Sequence, residues 1–254
     1  MDHRIINSLQ HPIVKKICKL KKDPSYRKEE GLIVISKDSI LQELNNYFDI
    51  EILLHLTLSP LKQKIRAKEK IEVSQQVLEK CIGYSSNDTG VALISIPDTK
   101  NSYSFPWLVL DGVQDPGNIG TLLRSALAFN FKTIFLLPPC CDIYNDKALK
   151  AARGATFHLE IHTIEEDTFI DLCKQKSAPF FYADAKGQNI DNFIFPEHFV
   201  LIMGNEGHGV SETIRKKGKG ISIPMNPITE SLNVSIAGAI LMHAATKGIY
   251  GKRT

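Results

Sequence analysis

Short apolar runs alternate with longer amphipathic segments through the second half of the chain. The apolar runs predict strands at Trp107–Leu110, Thr133–Leu137, Phe157–Ile161, Phe180–Ala183, Val200–Met203 and Gly220–Ile223. The segments between and after them predict helices at Ile119–Ala128, Asp146–Ala152, Glu165–Lys176, Ser211–Lys217 and Leu232–Thr246. This alternation is typical of βαβ units, so we predict an α/β fold with a mainly parallel sheet.

The pattern before residue 98 is less regular and predicts a separate, small α/β domain. Strand-like runs lie at Leu32–Ile35, Ile50–Leu54 and Val91–Ile96, with a helix predicted at Ser39–Asn46. The stretch from Pro97 to Pro106 is polar and is bounded by proline. We therefore predict one domain at 1–97, a linker at 98–105 and a second domain at 106–254.

The first predicted helix is basic on one side. Ile13, Ile17 and Leu20 recur at helical spacing, which leaves the lysines of this helix facing outward. The basic cluster in and just after this helix comprises Lys15, Lys16, Lys19, Lys22 and Arg27. Such a cluster is either a solvated helix face or a surface that contacts the phosphates of a nucleic acid, and charge alone favours the solvated face.

Composition sets few further limits. The chain has 254 residues, 43% of them hydrophobic and 23% charged, and a formal net charge of only +3. The five cysteines lack C-x-x-C spacing, so we expect reduced thiols in a cytoplasmic protein and no metal site. No apolar run approaches the length of about 20 residues that spans a bilayer, so we expect no membrane association.

Three loops that follow predicted strands are rich in polar residues and glycine. In the first loop, Asp115-Pro116-Gly117 predicts a tight turn and Asn118 a cap of the next helix, with Arg124 in its second turn. Because ligands bind beyond the carboxyl ends of parallel strands, these side chains are candidates for a functional site. The other interpretation is a capped helix with a surface arginine.

The second and third loops add different chemistry. Gly204-Asn-Glu-Gly-His-Gly209 lets the backbone approach a ligand closely, but Glu206 would repel a nucleotide diphosphate or triphosphate. This loop therefore favours a cationic or hydroxyl-bearing ligand. In the third loop, which runs from Ile223 to Ser235, Ser231 is either a helix N-cap or a catalytic residue.

Taken together and in this order, the three loops resemble the SpoU family, also called the TrmH family, of RNA ribose methyltransferases. The resembling segments are DGVQDPGNIGTLLRSA, LIMGNEGHGVS, ISIPM and SLNVSIAGAI, within residues 106–248. The opening HPIVKKICKLKKDPSYRKEEG resembles the small RNA-binding domain that members carry before the catalytic one. With this resemblance, RNA contact by the basic helix becomes the favoured interpretation.

The resemblance implies a fold, a cofactor and an activity. It implies a C-terminal trefoil knot of the SPOUT type that binds S-adenosylmethionine, a homodimer, and methyl transfer to a ribose 2′-hydroxyl of RNA, with ribosomal RNA favoured over transfer RNA. The implied cofactor contacts are Gly204, Ile223, Met225 and Leu232. The implied catalytic residues are Asn118, Arg124, Glu206, Ser231 and Asn233.

We assign roles within this set from chemistry. Arginine has a pKa above about 12, so Arg124 is expected to position the target phosphate and not to act as a base. Asn118, Ser231 and Asn233 are expected to orient the ribose and the loops through hydrogen bonds, and Glu206 to hold the loops together.

Two positions depart from the family pattern. Ile35-Ser36-Lys37-Asp38 stands where members usually have an acidic, glycine-containing turn, and Ala244 stands where a glutamate is common. A non-catalytic RNA-binding protein on the same scaffold remains an alternative function. A dinucleotide-dependent oxidoreductase would require G-x-G-x-x-G after the first strand of the second domain, where the sequence reads DPGNIG.

Overall fold

A computed structural model describes residues 5–99 and 102–250, the side chains of 248–250 excepted. The chain divides into two compact units, residues 1–98 with 144–150 and residues 99–143 with 151–254. The predicted linker at 98–105 includes residues 100 and 101, which lie outside the described residues, and its role stays a prediction. No helix in the described part of the chain combines the length and apolarity needed to cross a membrane.

The first unit is built on a small mixed sheet. Its helices are α1 (Pro12–Lys22), α2 (Pro24–Glu30), α3 (Asp38–Leu44), α4 (Leu61–Lys64) and α5 (Gln75–Ile82). Its strands are β1 (Leu32–Ile35), β2 (Ile50–His55), β3 (Ala67–Glu72) and β4 (Gly90–Ser95). The strand order is β1-β4-β2-β3, in which only the β2–β3 pair is parallel.

Local chemistry explains where α1 and α2 begin and end. Pro12 is the first residue of α1, and Asp23 accepts a hydrogen bond from the Tyr26 N–H (3.0 Å) to cap α2. Gly31 ends α2 with a φ of 64°, a conformation that glycine adopts without strain. The apolar face of α1 is buried, with Val14, Ile17 and Leu20 fully shielded from solvent.

The basic residues near α1 fall into two groups. Lys15, Lys19 and Lys22 are exposed, whereas Lys16 forms an ion pair with Glu30 at 2.6 Å. Arg27 is 3% exposed and donates a hydrogen bond to the Leu20 carbonyl oxygen. The expectation that Arg27 contacts RNA is therefore wrong, because its guanidinium is used to join α2 to the end of α1.

The second unit is built on a parallel sheet, as predicted. Its strands are β5 (Trp107–Asp111), β6 (Thr133–Leu137), β7 (Glu160–Thr163), β8 (Phe180–Asn189), β9 (Val200–Gly204) and β10 (Lys219–Ser222). Its helices are α6 (Pro116–Ala128), α8 (Glu166–Gln175), α9 (Glu212–Lys217) and α10 (Val234–Tyr250), whereas most of α7 (Asp146–Ala152) belongs to the first unit. The strand order is β10-β8-β9-β5-β6-β7, and every neighbouring pair is parallel.

One predicted strand is misplaced. The sequence pattern predicts that Phe157 begins a strand, but Ala155–Phe157 is a short 3₁₀ helix and β7 begins at Glu160. Gly154, with a φ of 89°, turns the chain into this helix, and Phe157 is buried by packing within the unit. An apolar run of this length does not distinguish a buried strand from a buried turn.

The backbones of β8 and β10 approach each other closely where their pairing shifts register at one edge of the sheet. A Cβ atom added to Gly187 in β8 would lie 2.3 Å from the carbonyl carbon of Gly220 in β10. The final helix α10 returns to pack against α6 and β9. Hydrogen bonds join the segments that follow β5, β9 and β10 at one end of the sheet.

Candidate functional site

The site begins where β5 and β9 end side by side. Asp111 and Gly204 are paired in register at the last positions of these strands. The Asn205 side-chain amide donates to the Gly112 carbonyl oxygen (2.8 Å), and Asp111 accepts from the Ser211 N–H (2.7 Å). Burial raises the pKa of Asp111, although the Ser211 N–H opposes this shift. These contacts bind the first and second loops to each other.

The glycine-rich loop is a tight, closed turn. Asn205 and Gly209 exchange two backbone hydrogen bonds of 2.9 Å, and the Asn205 side-chain oxygen accepts from the Gly207 N–H (2.9 Å). A Cβ atom at Gly204 would lie 2.2 Å from the carbonyl carbon of Gly209. Glycine at 204 is therefore required by the close approach of the returning chain.

Glu206 anchors the first loop. Its carboxylate accepts hydrogen bonds from the Gln114 and Asp115 N–H groups (3.3 Å each) and from the Asn118 side-chain amide (2.9 Å). Burial tends to raise the pKa of Glu206, but the hydrogen bonds from the Asn118 amide and from backbone N–H groups outweigh it and hold this pKa below its usual value. Glu206 is thus ionised at neutral pH and serves as an acceptor.

The third loop joins through Asn118. The Asn233 side-chain amide donates to the Asn118 side-chain oxygen (2.9 Å), while the Asn233 oxygen accepts from the Ser235 N–H (2.9 Å) and hydroxyl (2.6 Å). We call Glu206, Asn118 and Asn233 the three-loop relay. Each loop contributes one member, so the position of each loop depends on the other two.

A cavity of about 360 Å³ lies beside the relay. The four predicted cofactor contacts, Gly204, Ile223, Met225 and Leu232, all line it. Further apolar surface comes from Met203, Ile221 and Leu241. Its volume is in the range of small-molecule sites, about 300–1,000 Å³, and its lining is mainly apolar with a few polar groups.

Four of the five predicted catalytic residues converge here. Glu206, Ser231 and Asn233 line the cavity, and Asn118 is hydrogen-bonded to two of them. Arg124 does not line the cavity: it is exposed on α6 and, within the described part of the chain, makes no hydrogen bond or ion pair. A free, exposed guanidinium is available to an external anion.

Three local predictions require correction. Asp115, and not Asn118, caps α6 by accepting from the Asn118 N–H (2.9 Å). Because α6 begins at Pro116, Arg124 falls in its third turn and not its second. Asn233, and not Ser231, caps α10, since α10 begins at Val234 and Ser231 lies in the preceding loop.

Two polar side chains of the cavity lining, those of Asp184 and Asn205, are not identified by the sequence pattern. Asn205 lies inside the glycine-rich segment, where only its neighbour Glu206 is predicted to be functional. Asp184 directly follows the apolar run Phe180–Ala183, and a polar residue at the end of a parallel strand is a signal for a ligand site. The signal alone is ambiguous because the sequence does not state that β8 lies beside β9.

Sequence comparisons relate the chain to RNA methyltransferases. The model of the SpoU rRNA Methylase family matches residues 106–243. The 23S rRNA (guanosine(2553)-2′-O)-methyltransferase RlmP of Bacillus subtilis is 32% identical over 154 residues, which are 60% of this chain and 62% of the relative. An uncharacterized tRNA/rRNA methyltransferase of Synechocystis is 27% identical over 97% of this chain and 94% of its own length.

The fold is also found among solved structures. The SpoU methyltransferase AviRb of Streptomyces viridochromogenes, solved in complex with the cofactor AdoMet, superposes with a TM-score of 0.86 at 20% identity. The match covers 96% of this chain and 100% of AviRb, so the similarity of fold includes the first unit.

Proposed function

Because the chain belongs to the SpoU rRNA Methylase family, we propose that it transfers a methyl group from S-adenosylmethionine to a ribose 2′-hydroxyl of RNA. The observation that carries the proposal is the convergence of three separate loops, through the three-loop relay, on one cavity. The 2′-O-methyltransferase activity of RlmP and the AdoMet complex of AviRb support it.

The cavity fits this cofactor in shape and in charge. Gly204 gives a wall without side chain, and Met203, Ile223 and Leu232 provide apolar surface. The charged side chains among the described lining residues, Asp184 and Glu206, are both acidic, which suits a ligand with a positive sulfonium. When bound, S-adenosylmethionine supplies an already activated methyl group.

The residues of the chain then have to orient the ribose and remove its proton. Asn118 is held by its neighbours in the relay, so its amide is fixed before the substrate arrives. The Ser231 hydroxyl lies at the exposed rim of the cavity, where it can hydrogen-bond the ribose. Glu206 already accepts three hydrogen bonds, so it is not the proposed base. Arg124 is proposed to position the substrate phosphate, and that phosphate or a nearby group takes the proton.

Ribosomal RNA is the proposed substrate because the curated relative RlmP acts on 23S rRNA. The test is to incubate the protein with methyl-tritiated S-adenosylmethionine and ribosomal RNA lacking modification, and to digest the RNA to nucleosides. Label in a 2′-O-methylnucleoside supports the proposal. RNA binding without label would instead support a non-catalytic RNA-binding protein on this scaffold.

Arg124→Ala is expected to lower kcat/KM for RNA by about 100-fold, the order of loss when one charged ligand of a reacting group is removed. Arg124→Lys should recover part of this loss, because lysine keeps the charge but not the planar fork. Steady-state kinetics over a range of RNA concentrations gives kcat and kcat/KM, and calorimetry gives the affinity for S-adenosylmethionine, which should not change. Lys132→Ala, which removes another exposed cation of the same unit, is the control. Full turnover of Arg124→Ala would refute the role.

The exposed lysines of α1 are proposed to contact RNA phosphates. Replacing Lys15, Lys19 and Lys22 together with alanine is expected to raise KM for RNA about tenfold and to leave kcat unchanged. The plot of the logarithm of the binding constant against the logarithm of the salt concentration should also become less steep. Its slope should change by up to about 0.7–0.9 for each phosphate that is no longer bound. Filter binding at several salt concentrations measures both effects.

A matched variant distinguishes specific contact from the loss of net charge. Lys64, Lys68 and Lys70 are exposed on the same unit, and their replacement removes the same charge. This control should bind RNA nearly as well as the wild type. Equal weakening of both triple variants would contradict an RNA surface on α1.

A homodimer is part of the proposal. Leu127 on α6 and Ile236 and Ile240 on α10 are 38%, 52% and 38% exposed, an unusual set of apolar side chains on two helices that pack together. A second copy of the chain is the proposed occupant of this face.

The proposed place of action is the cytoplasm, with ribosomal RNA.

A further inference from the structure

The cavity contains a carboxylate that the proposed reaction does not use. Asp184 lies in the irregular middle of β8, where pairing with β10 shifts register, and its side chain lines the cavity. Its Oδ1 accepts from the Lys186 N–H (2.9 Å), a local turn contact. Among the described residues, Asp184 accepts no hydrogen bond from any member of the three-loop relay, unlike Glu206, which accepts one from Asn118.

Arg215 is the cation that faces Asp184. Its guanidinium lies 3.4 Å from Oδ2 of Asp184 and 5.9 Å from the ring centroid of Tyr182. The Arg215 side chain is 50% exposed and the contact is long, so water screens this pair. Asp184 is thus only partly neutralised and still contributes negative potential to the cavity.

The two ligands that must exchange in this cavity differ mainly in charge. S-adenosylmethionine carries a sulfonium, an ammonium and a carboxylate, for a net charge of +1 at neutral pH. S-adenosylhomocysteine, the product, has lost the methyl group and the sulfonium charge and is neutral overall. An apolar wall contacts both in nearly the same way, whereas a carboxylate attracts the donor more strongly.

We propose that Asp184 makes the cavity prefer the sulfonium donor over its thioether product, and that Arg215 limits this preference by partly neutralising Asp184. The inference rests on the proposed function, since it assigns a role within the same cofactor cavity. Asp184 acts here through its charge as a specificity-determining residue. Its consequence is weaker inhibition by product, because each transfer removes the charge that Asp184 attracts.

The experiment measures binding and not activity. Calorimetry gives Kd for S-adenosylmethionine, S-adenosylhomocysteine and sinefungin, in which an amine carries the charge in place of the sulfonium. Asp184→Asn is expected to weaken the two cationic ligands on the order of tenfold, with little effect on S-adenosylhomocysteine. Arg215→Ala should increase the preference for the cationic ligands, measured as the Kd of S-adenosylhomocysteine divided by the Kd of S-adenosylmethionine. Higher salt should reduce the effects of both replacements.

Two controls keep the result interpretable. Asparagine retains the oxygen that accepts the Lys186 N–H, so Asp184→Asn should fold normally, which thermal unfolding checks. Lys216→Ala removes a charge from the same helix as Arg215, but Lys216 pairs with Glu212 (3.5 Å) and does not line the cavity. It should leave the ratio of the dissociation constants unchanged.

The outcomes separate the inference from the function on which it rests. Failure of the wild type to bind any of the three ligands would refute the proposed function and the inference together. If the wild type binds and Asp184→Asn weakens all three ligands equally, Asp184 contacts the shared amino acid portion and the charge discrimination is overturned. An unchanged ratio in Asp184→Asn overturns it as well.

Discussion

Glu206→Ala is expected to lower kcat/KM for methyl transfer by about 100- to 1,000-fold, the range found when a preorganising polar group is removed from an active site. The carboxylate accepts from two backbone N–H groups of the first loop and from the Asn118 amide. Alanine leaves these donors without an acceptor, so Asn118 is no longer fixed toward the ribose. Steady-state kinetics over a range of RNA concentrations measures the loss.

Glu206→Gln is the matched variant. Glutamine keeps the size and one acceptor oxygen but not the charge, so an intermediate rate is expected. A rate for Glu206→Gln and Glu206→Ala equal to that of the wild type would show that the anchor is dispensable.

Acidification should reproduce the loss of the Glu206 charge. The pKa of Glu206 in the folded protein lies below its ordinary value of 4.5, so the ionised carboxylate stabilises the fold above about pH 4.5. This contribution is lost as the pH falls through the lowered pKa. The stability difference between the wild type and Glu206→Gln, measured by urea unfolding, should therefore be present at pH 7 and vanish in strong acid.

Gly204→Ala is expected to weaken S-adenosylmethionine binding by at least about 100-fold and to destabilise the protein by about 1–3 kcal/mol or more. The added Cβ would lie 2.2 Å from the carbonyl carbon of Gly209 and 2.4 Å from the Val210 nitrogen. Both are backbone atoms, so the turn that forms one wall of the cavity has to move. Thermal unfolding and calorimetry measure the two effects.

Gly207→Ala is the control within the same turn. The nearest atom to its added Cβ is the Asn205 side-chain oxygen at 3.6 Å, an ordinary contact. This variant should fold and bind the cofactor nearly as the wild type does. Normal cofactor affinity in Gly204→Ala would contradict the assignment of the cavity.

Much of the second unit could be predicted because its pattern is local. Strands and helices alternate along the chain. The buried strands of the parallel sheet coincide with apolar runs that can be recognised in the sequence. Phe157 shows the limit, since a short apolar run is compatible with a strand and with the buried 3₁₀ helix that Gly154 begins. Gly187 and Gly220 show a second limit of prediction from the sequence. Their close approach joins segments that are distant along the chain, so no periodic pattern in the sequence indicates it.

The sequence predicts that Glu206, Asn118 and Asn233 hold the loops together, but it does not predict which of them bond to each other. Asn118, Glu206 and Asn233 were expected to take part, yet their mutual hydrogen bonds depend on β5 and β9 being neighbours. Asp184 was missed for the same reason, because strand order is a tertiary property. The prediction that Arg27 contacts RNA is wrong for a different reason. The residue type and its spacing fit a basic surface, but the packing of α2 on α1 buries the side chain.

If the three-loop relay acts as one unit, the effects of replacing Asn118 and Asn233 are not independent, and a double-mutant cycle measures this coupling. The Asn233 amide donates to the Asn118 oxygen at 2.9 Å, so either single replacement by alanine breaks the same link. We expect kcat/KM of the double variant Asn118→Ala/Asn233→Ala to be close to that of the worse single variant. Losses that multiply, as for independent residues, would contradict it.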